Sequence, residues 1–153
     1  MSQRLDQYST APELIKPLLE MEKALDGTEL EFSLKELIKL RASQINGCAY
    51  CIHMHTNDAR AGGVSEDRLH LLNAWRESSL YSDRERAALA WTETLTRVET
   101  QGAPDGHYKT LTEHFTPHEQ VAVTLAITAI NSWNRLAIAF STPHPAAQEA
   151  NAA

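Results

Sequence analysis

Cys48 and Cys51 stand three positions apart, and His55 follows four residues later. On a helix turning about 100° per residue, the three side chains fall within roughly 60° of one another. Positions i and i+3 put the cysteine Cα atoms about 5 to 6 Å apart, a separation that a disulfide tolerates. His55 lies one turn beyond Cys51, so its imidazole can reach that sulfur and favour the thiolate. A helix N-terminus near Cys48 adds partial positive charge in the same sense. Only the thiolate attacks a peroxide or a disulfide, so the cluster reads as redox chemistry.

Other chemistries are weighed against that one. Zinc wants four ligands, and this segment offers Cys48, Cys51 and His55 without a second cysteine pair. Covalent haem attachment needs His directly after the second cysteine, where Ile52 stands. Two inert cysteines on a buried face remain as the plain alternative. A bridge across so short a loop contributes little to stability, so the pair is not a structural staple. No cofactor is expected.

The elements that must position these residues are helices. Pro12 and Glu13 open an apolar-periodic run through Leu14, Leu18, Met21 and Leu25 that stops at Asp26-Gly27. In the next run Ser33 reads as an N-cap with Glu36 as its capping-box partner, and Phe32 with Leu37 as the staple. It carries Leu34, Leu37, Ile38 and Arg41 along one side and stops at Asn46-Gly47. The cysteine helix runs from near Cys48 to Gly62-Gly63. Ser65 caps another helix, and Ser82 with Glu85 opens one that continues through Trp91, Leu95 and Val98 to Gln101. A short helix through Tyr108 and Leu111 follows. Thr116-Pro117-His118-Glu119 combines N-cap, N1 proline and N3 glutamate ahead of a helix reaching about Phe140. That last helix is apolar nearly all round, so it is expected in the core or between subunits. The reading is all-α, with one domain over residues 1–140 and a poorly ordered tail over 141–153.

Composition narrows the function. The 153 residues carry a formal charge of −6 and no basic stripe, which argues against a nucleic-acid partner. The start lacks the pattern of a signal peptide. The apolar stretch Val121–Ile130 is too short to span a bilayer, so no membrane association and a cytoplasmic setting are expected. Trp75, Trp91 and Trp133 sit at core-like positions, and Arg41 and Arg135 are candidates to pair with buried carboxylates such as Glu93.

Glu36, eleven residues, Cys48, two, Cys51, three, His55 resembles the E-x11-C-x2-C-x3-H pattern of the alkylhydroperoxidase AhpD-like, or carboxymuconolactone decarboxylase-like, family. Arg41-Ala42-Ser43-Gln44-Ile45-Asn46-Gly47-Cys48-Ala49-Tyr50-Cys51 and Asn131-Ser132-Trp133-Asn134-Arg135 are similar to family segments, and the likeness spans roughly residues 10–140. The resemblance implies a thiol-dependent hydroperoxide reductase. In it Cys51 attacks the peroxide, Cys48 protonates the leaving oxygen and then closes the disulfide, and Glu36 with His55 relays the proton. It also implies a disulfide-reducing protein partner and a homotrimer or homohexamer. The chain departs from well-studied peroxidases at Tyr50, where they carry histidine, and a phenol cannot serve as a base near neutral pH. The decarboxylase branch generally lacks paired cysteines. A dithiol-disulfide oxidoreductase or sensor, and a metal-binding helical module, are the alternative readings.

Overall fold

The computed structural model describes residues 2–145. Among them are nine α-helices and no strand: α1 (Gln7–Thr10), α2 (Pro12–Asp26), α3 (Phe32–Asn46), α4 (Ala49–Ala61), α5 (Glu66–Leu71), α6 (Asp83–Thr96), α7 (Val98–Gln101), α8 (Asp105–His114) and α9 (Pro117–Phe140). A 3-10 turn, Leu72–Ala74, continues α5. The expected tail of 141–153 falls outside the described residues from 146 onward.

Local signals place most helix ends. Ser65, Ser82 and Thr116 each accept a backbone N–H as N-caps, and the last two complete capping boxes with Glu85 and Glu119. Each satisfies amides that the first turn would otherwise leave bare. Gly47 ends α3 at φ 70°, a left-handed conformation that glycine adopts without the penalty of a Cβ. The reversal drops the chain directly onto Cys48 and α4. At the other end of α4, a Cβ on Gly62 would lie 2.5 Å from the Phe32 ring, so the bare glycine lets that ring lie against the end of α4.

The helix expected from Ser82 to Gln101 is instead two. Arg97 leaves helical geometry at φ −112°, separating α6 from α7. The apolar spacing of Leu95 and Val98 spans the break, so periodicity alone does not reveal it. The helix enclosed on all sides within the chain is α3, while α9 gives one face to the core. Every residue of α3 from Leu34 to Leu40 is buried, because α4, α6 and α9 pack around it. In contrast α9 leaves Val121 67% exposed. At 24 residues α9 is long enough to cross a bilayer, longer than its uninterrupted apolar stretch, yet one side packs against α2, α3 and α6.

Leu25, Leu34, Ile38, Trp91 and Ile127 form the main core between α2, α3, α6 and α9. A second cluster, Leu37, Leu40, Leu72, Trp75 and Leu89, fixes the other side of α3. Burying side chains of this size at about 1.5–3 kcal/mol each is what holds α3 in place, with its charged residues enclosed.

Candidate functional site

Glu36 projects from the second turn of α3 and is 4% exposed. Its expected capping role is not what the structure shows. The N-cap of α3 is Glu31, so Ser33 and Glu36 lie inside the helix and make no capping box. The Ser-x-x-Glu pattern is present, but Phe32 has already entered the helix, one residue ahead of Ser33. Freed from the terminus, the Glu36 carboxylate meets His55 Nδ1 at 2.8 Å, and both groups are buried. A ring nitrogen facing a carboxylate oxygen carries the proton and donates it, leaving Nε2 as the acceptor on the other side of the ring.

The cysteines sit where α4 begins. Cys48 is the N-cap, and its Sγ accepts the Cys51 backbone N–H at 3.3 Å. The two are joined as a disulfide with Cα atoms 5.3 Å apart, within the interval the spacing predicts. Each cysteine is 1% exposed. Cys51, His55 and Glu36 line one cavity of about 350 Å³, so the structure brings together three of the four predicted residues there. Cys48 lines a different cavity, of about 380 Å³.

Sequence reasoning missed the rest of the network. Lys39, one turn after Glu36 on α3, holds Nζ 3.9 Å from Glu36 Oε1 and 2.7 Å from Glu22 Oε2. Glu22 in turn accepts the Trp133 indole N–H at 3.0 Å. A chain of polar contacts thus runs from Trp133 on α9 through Glu22 on α2 and Lys39 to Glu36 and His55. Trp133 is part of the cavity wall and not simply core, while Trp75 and Trp91 are buried as expected. Tyr8 and Gln7 of α1 close another side of the cavity, and Gln7 is 5% exposed although it lies near the start of the chain. Burial, with Tyr50 and Asp6 nearby, pushes the Tyr8 phenol above its ordinary value and keeps it a hydrogen-bond donor.

A second set of contacts fixes α3 from behind. Glu93 on α6 accepts hydrogen bonds from Arg41 at 2.9 Å, Trp75 at 2.9 Å and Arg76 at 2.8 Å. Burial works against its charge, but the donors outweigh it and hold the carboxyl below its ordinary range. Arg41 therefore pairs as expected. Among the described residues Arg135 reaches no carboxylate; it donates to Asn131 on its own helix. Asn46 binds Asn131 and Asn134 at 3.0 and 2.8 Å, and Asn134 binds Ser43 at 3.0 Å, which ties the end of α3 to α9. For a metal, Glu36, His55 and Asp58 offer one ligand atom each within 4.8 Å, a set that leaves out both cysteines.

Residues 12–94 match the carboxymuconolactone decarboxylase family. The protein YdfG of Bacillus subtilis, named as uncharacterized, is 45% identical over 139 residues, covering 91% of this chain and 95% of its own length. The chain belongs to the AhpD-like, carboxymuconolactone decarboxylase family. Its AhpD-like fold is also that of an Agrobacterium tumefaciens protein of unknown function, described as a candidate antioxidant defence protein AhpD. The two are 42% identical with a TM-score of 0.91, covering 94% of this chain and 99% of that one. The debrominase Bmp8 shares the fold at a TM-score of 0.82 and 22% identity, covering 93% and 76%. The fold is thus shared with a protein named for a different reaction, so the chemistry of this chain rests on its own site.

Proposed function

We propose that this protein is a thiol-dependent hydroperoxide reductase with Cys51 as the attacking thiol. The observation that supports it most is the buried Glu36–His55 pair at 2.8 Å, one helical turn from Cys51 and in the same cavity. His55 Nε2 takes the thiol proton while Glu36 holds the ring and compensates the imidazolium that forms. The thiolate attacks the terminal peroxide oxygen. The O–O bond breaks, the alkoxide takes a proton, and Cys51 becomes a sulfenic acid. Cys48 then attacks the Cys51 sulfur, the S–O bond breaks, water leaves with one further proton, and the disulfide closes. Overall, two thiols and a hydroperoxide give a disulfide, an alcohol and water.

Tyr8, Leu19, Met54 and Trp133 on the cavity wall suit an organic hydroperoxide with a modest apolar group. A disulfide-reducing protein then restores the dithiol, in the reducing cytoplasm where such a cycle turns over. The exposed outer face of α9, with Val121 and Thr128, is the surface we assign to assembly as a homotrimer or homohexamer.

Stopped-flow mixing of the reduced protein with an alkyl hydroperoxide tests this reading. The wild type should lose thiols at least a hundredfold faster than Cys51→Ser. Equal rates would refute it.

A further inference from the structure

The two sulfurs of the disulfide open onto different cavities. Cys51 faces the one that holds His55; Cys48 faces another, roofed by Ile138 and by Pro143 and His144 beyond the end of α9, with Tyr50, Ala137 and Thr142 forming the wall common to both. The two cavities differ in charge. Glu22, Asp26, Glu36 and Asp58 line the first, against Lys39 and His55. Among the described residues no carboxylate lines the second. The His144 ring, which lines only the second, lies 5.5 Å from that of His53.

We infer that the Cys48 cavity is the reductant's entrance: a dithiol attacks Cys48 there, while the peroxide uses the other cavity. This rests on the pair being a redox couple that turns over. The reductant arrives as a thiolate, and an anion is disfavoured by the carboxylates on the Cys51 side and unopposed on the Cys48 side. Attack runs along the S–S axis, opposite the leaving sulfur. The reductant's first thiolate forms an S–S bond with Cys48, the Cys48–Cys51 bond breaks, and Cys51 leaves with the electron pair as a thiolate beside His55. The reductant's second thiol, losing its proton, attacks its own mixed-disulfide sulfur. Cys48 is released as a thiolate and takes up a proton. Two electrons pass from the dithiol to the protein, and Cys51 is left ready for the next peroxide.

The test blocks each entrance in turn, using dithiothreitol as the reductant. Ile138→Trp fills the Cys48 side from a half-exposed position, and Leu19→Trp fills the Cys51 side from another. The rate of disulfide reduction and the rate of oxidation of pre-reduced protein by an alkyl hydroperoxide are measured for each. Ile138→Trp should slow reduction at least tenfold more than oxidation, and Leu19→Trp should do the reverse. Ile138→Glu and Ile138→Lys add a charge without filling the space. Reduction should be at least threefold slower in Glu than in Lys at low salt, with the difference lost in concentrated salt. Equal reduction rates in Ile138→Trp and wild type, or slowing of reduction mainly by Leu19→Trp, would overturn the inference. Absence of peroxide oxidation would defeat the peroxidase reading alone, because the reduction arm does not use peroxide.

Discussion

Glu36→Gln separates a proton relay from a structural carboxylate. The substitution keeps the shape of the side chain and removes its charge. What is lost at the site is the negative charge behind the hydrogen bond to His55 Nδ1 at 2.8 Å, a bond that an amide oxygen still accepts while the ring is neutral. Hydrogen bonds to charged groups contribute about 1.5–3 kcal/mol, and here the contribution grows as the imidazole gains a proton from Cys51. At about 1.4 kcal/mol per decade, oxidation of the reduced protein by hydroperoxide should slow by about 10- to 100-fold. Stability should barely move. Glu36 caps no helix, and Lys39 retains Glu22 at 2.7 Å. A change within about 1 kcal/mol corresponds to a shift of roughly 2–4 °C in melting temperature for a domain of this size. Stopped-flow thiol loss and calorimetry on the same preparation give both numbers. A rate within threefold of wild type, or a rate loss matched by a large fall in melting temperature, would refute the relay argument.

Three more outcomes follow from the same geometry. Lys39→Met leaves Glu22 and Glu36 without their shared cation, so chemical denaturation should show a loss of about 3 kcal/mol, more than Glu22→Gln costs. Glu93→Gln strands Arg41, and about 3 kcal/mol should vanish at pH 7 with the peroxide rate held within a few-fold. Because the folded Glu93 carboxyl lies below its ordinary value, its stabilisation is complete above an unfolded value of about 4.3 and is lost as pH falls through the folded one. The gap between wild type and Glu93→Gln in urea midpoint should therefore narrow below pH 4; a gap that widens would reverse the assigned sign. Cys48→Ser, finally, should stop after one turnover with Cys51 as a sulfenic acid that dimedone labels, whereas Cys51→Ser should give no label.

The legible parts of this protein were those encoded over short spans. Thr116-Pro117-His118-Glu119 fixes the start of α9 because cap, proline and glutamate act within one turn. Cys51 and His55 are readable for the same reason, since one helical turn brings them together, and Cys48 caps that turn from outside the helix. Glu36 was harder. The pattern Ser33-x-x-Glu36 is a true capping signature in the wrong register, and nothing local says that the helix has begun at Phe32. Lys39, Glu22 and Trp133 carry no signal, because Glu22 meets residues 17 and 111 positions away and only packing of α2 and α9 around α3 joins them. The sidedness read along α3 was likewise misleading. A helix enclosed by three others buries Lys35, Glu36 and Lys39 as well as its leucines, and those charges are where the site lies.

Cys48 does two things with one atom. Its sulfur takes part in the disulfide and also caps the first turn of α4 through the Cys51 amide. Folding and electron transfer therefore share a thermodynamic cycle. Whatever extra free energy a free Cys48 thiolate gives the cap, relative to a bonded sulfur, must appear as an equal bias toward the dithiol. The first turn of α4 is in this sense a ligand-binding site whose ligand is a pair of electrons. Any substitution that loosens that turn will move the balance between the two oxidation states without touching a reacting group.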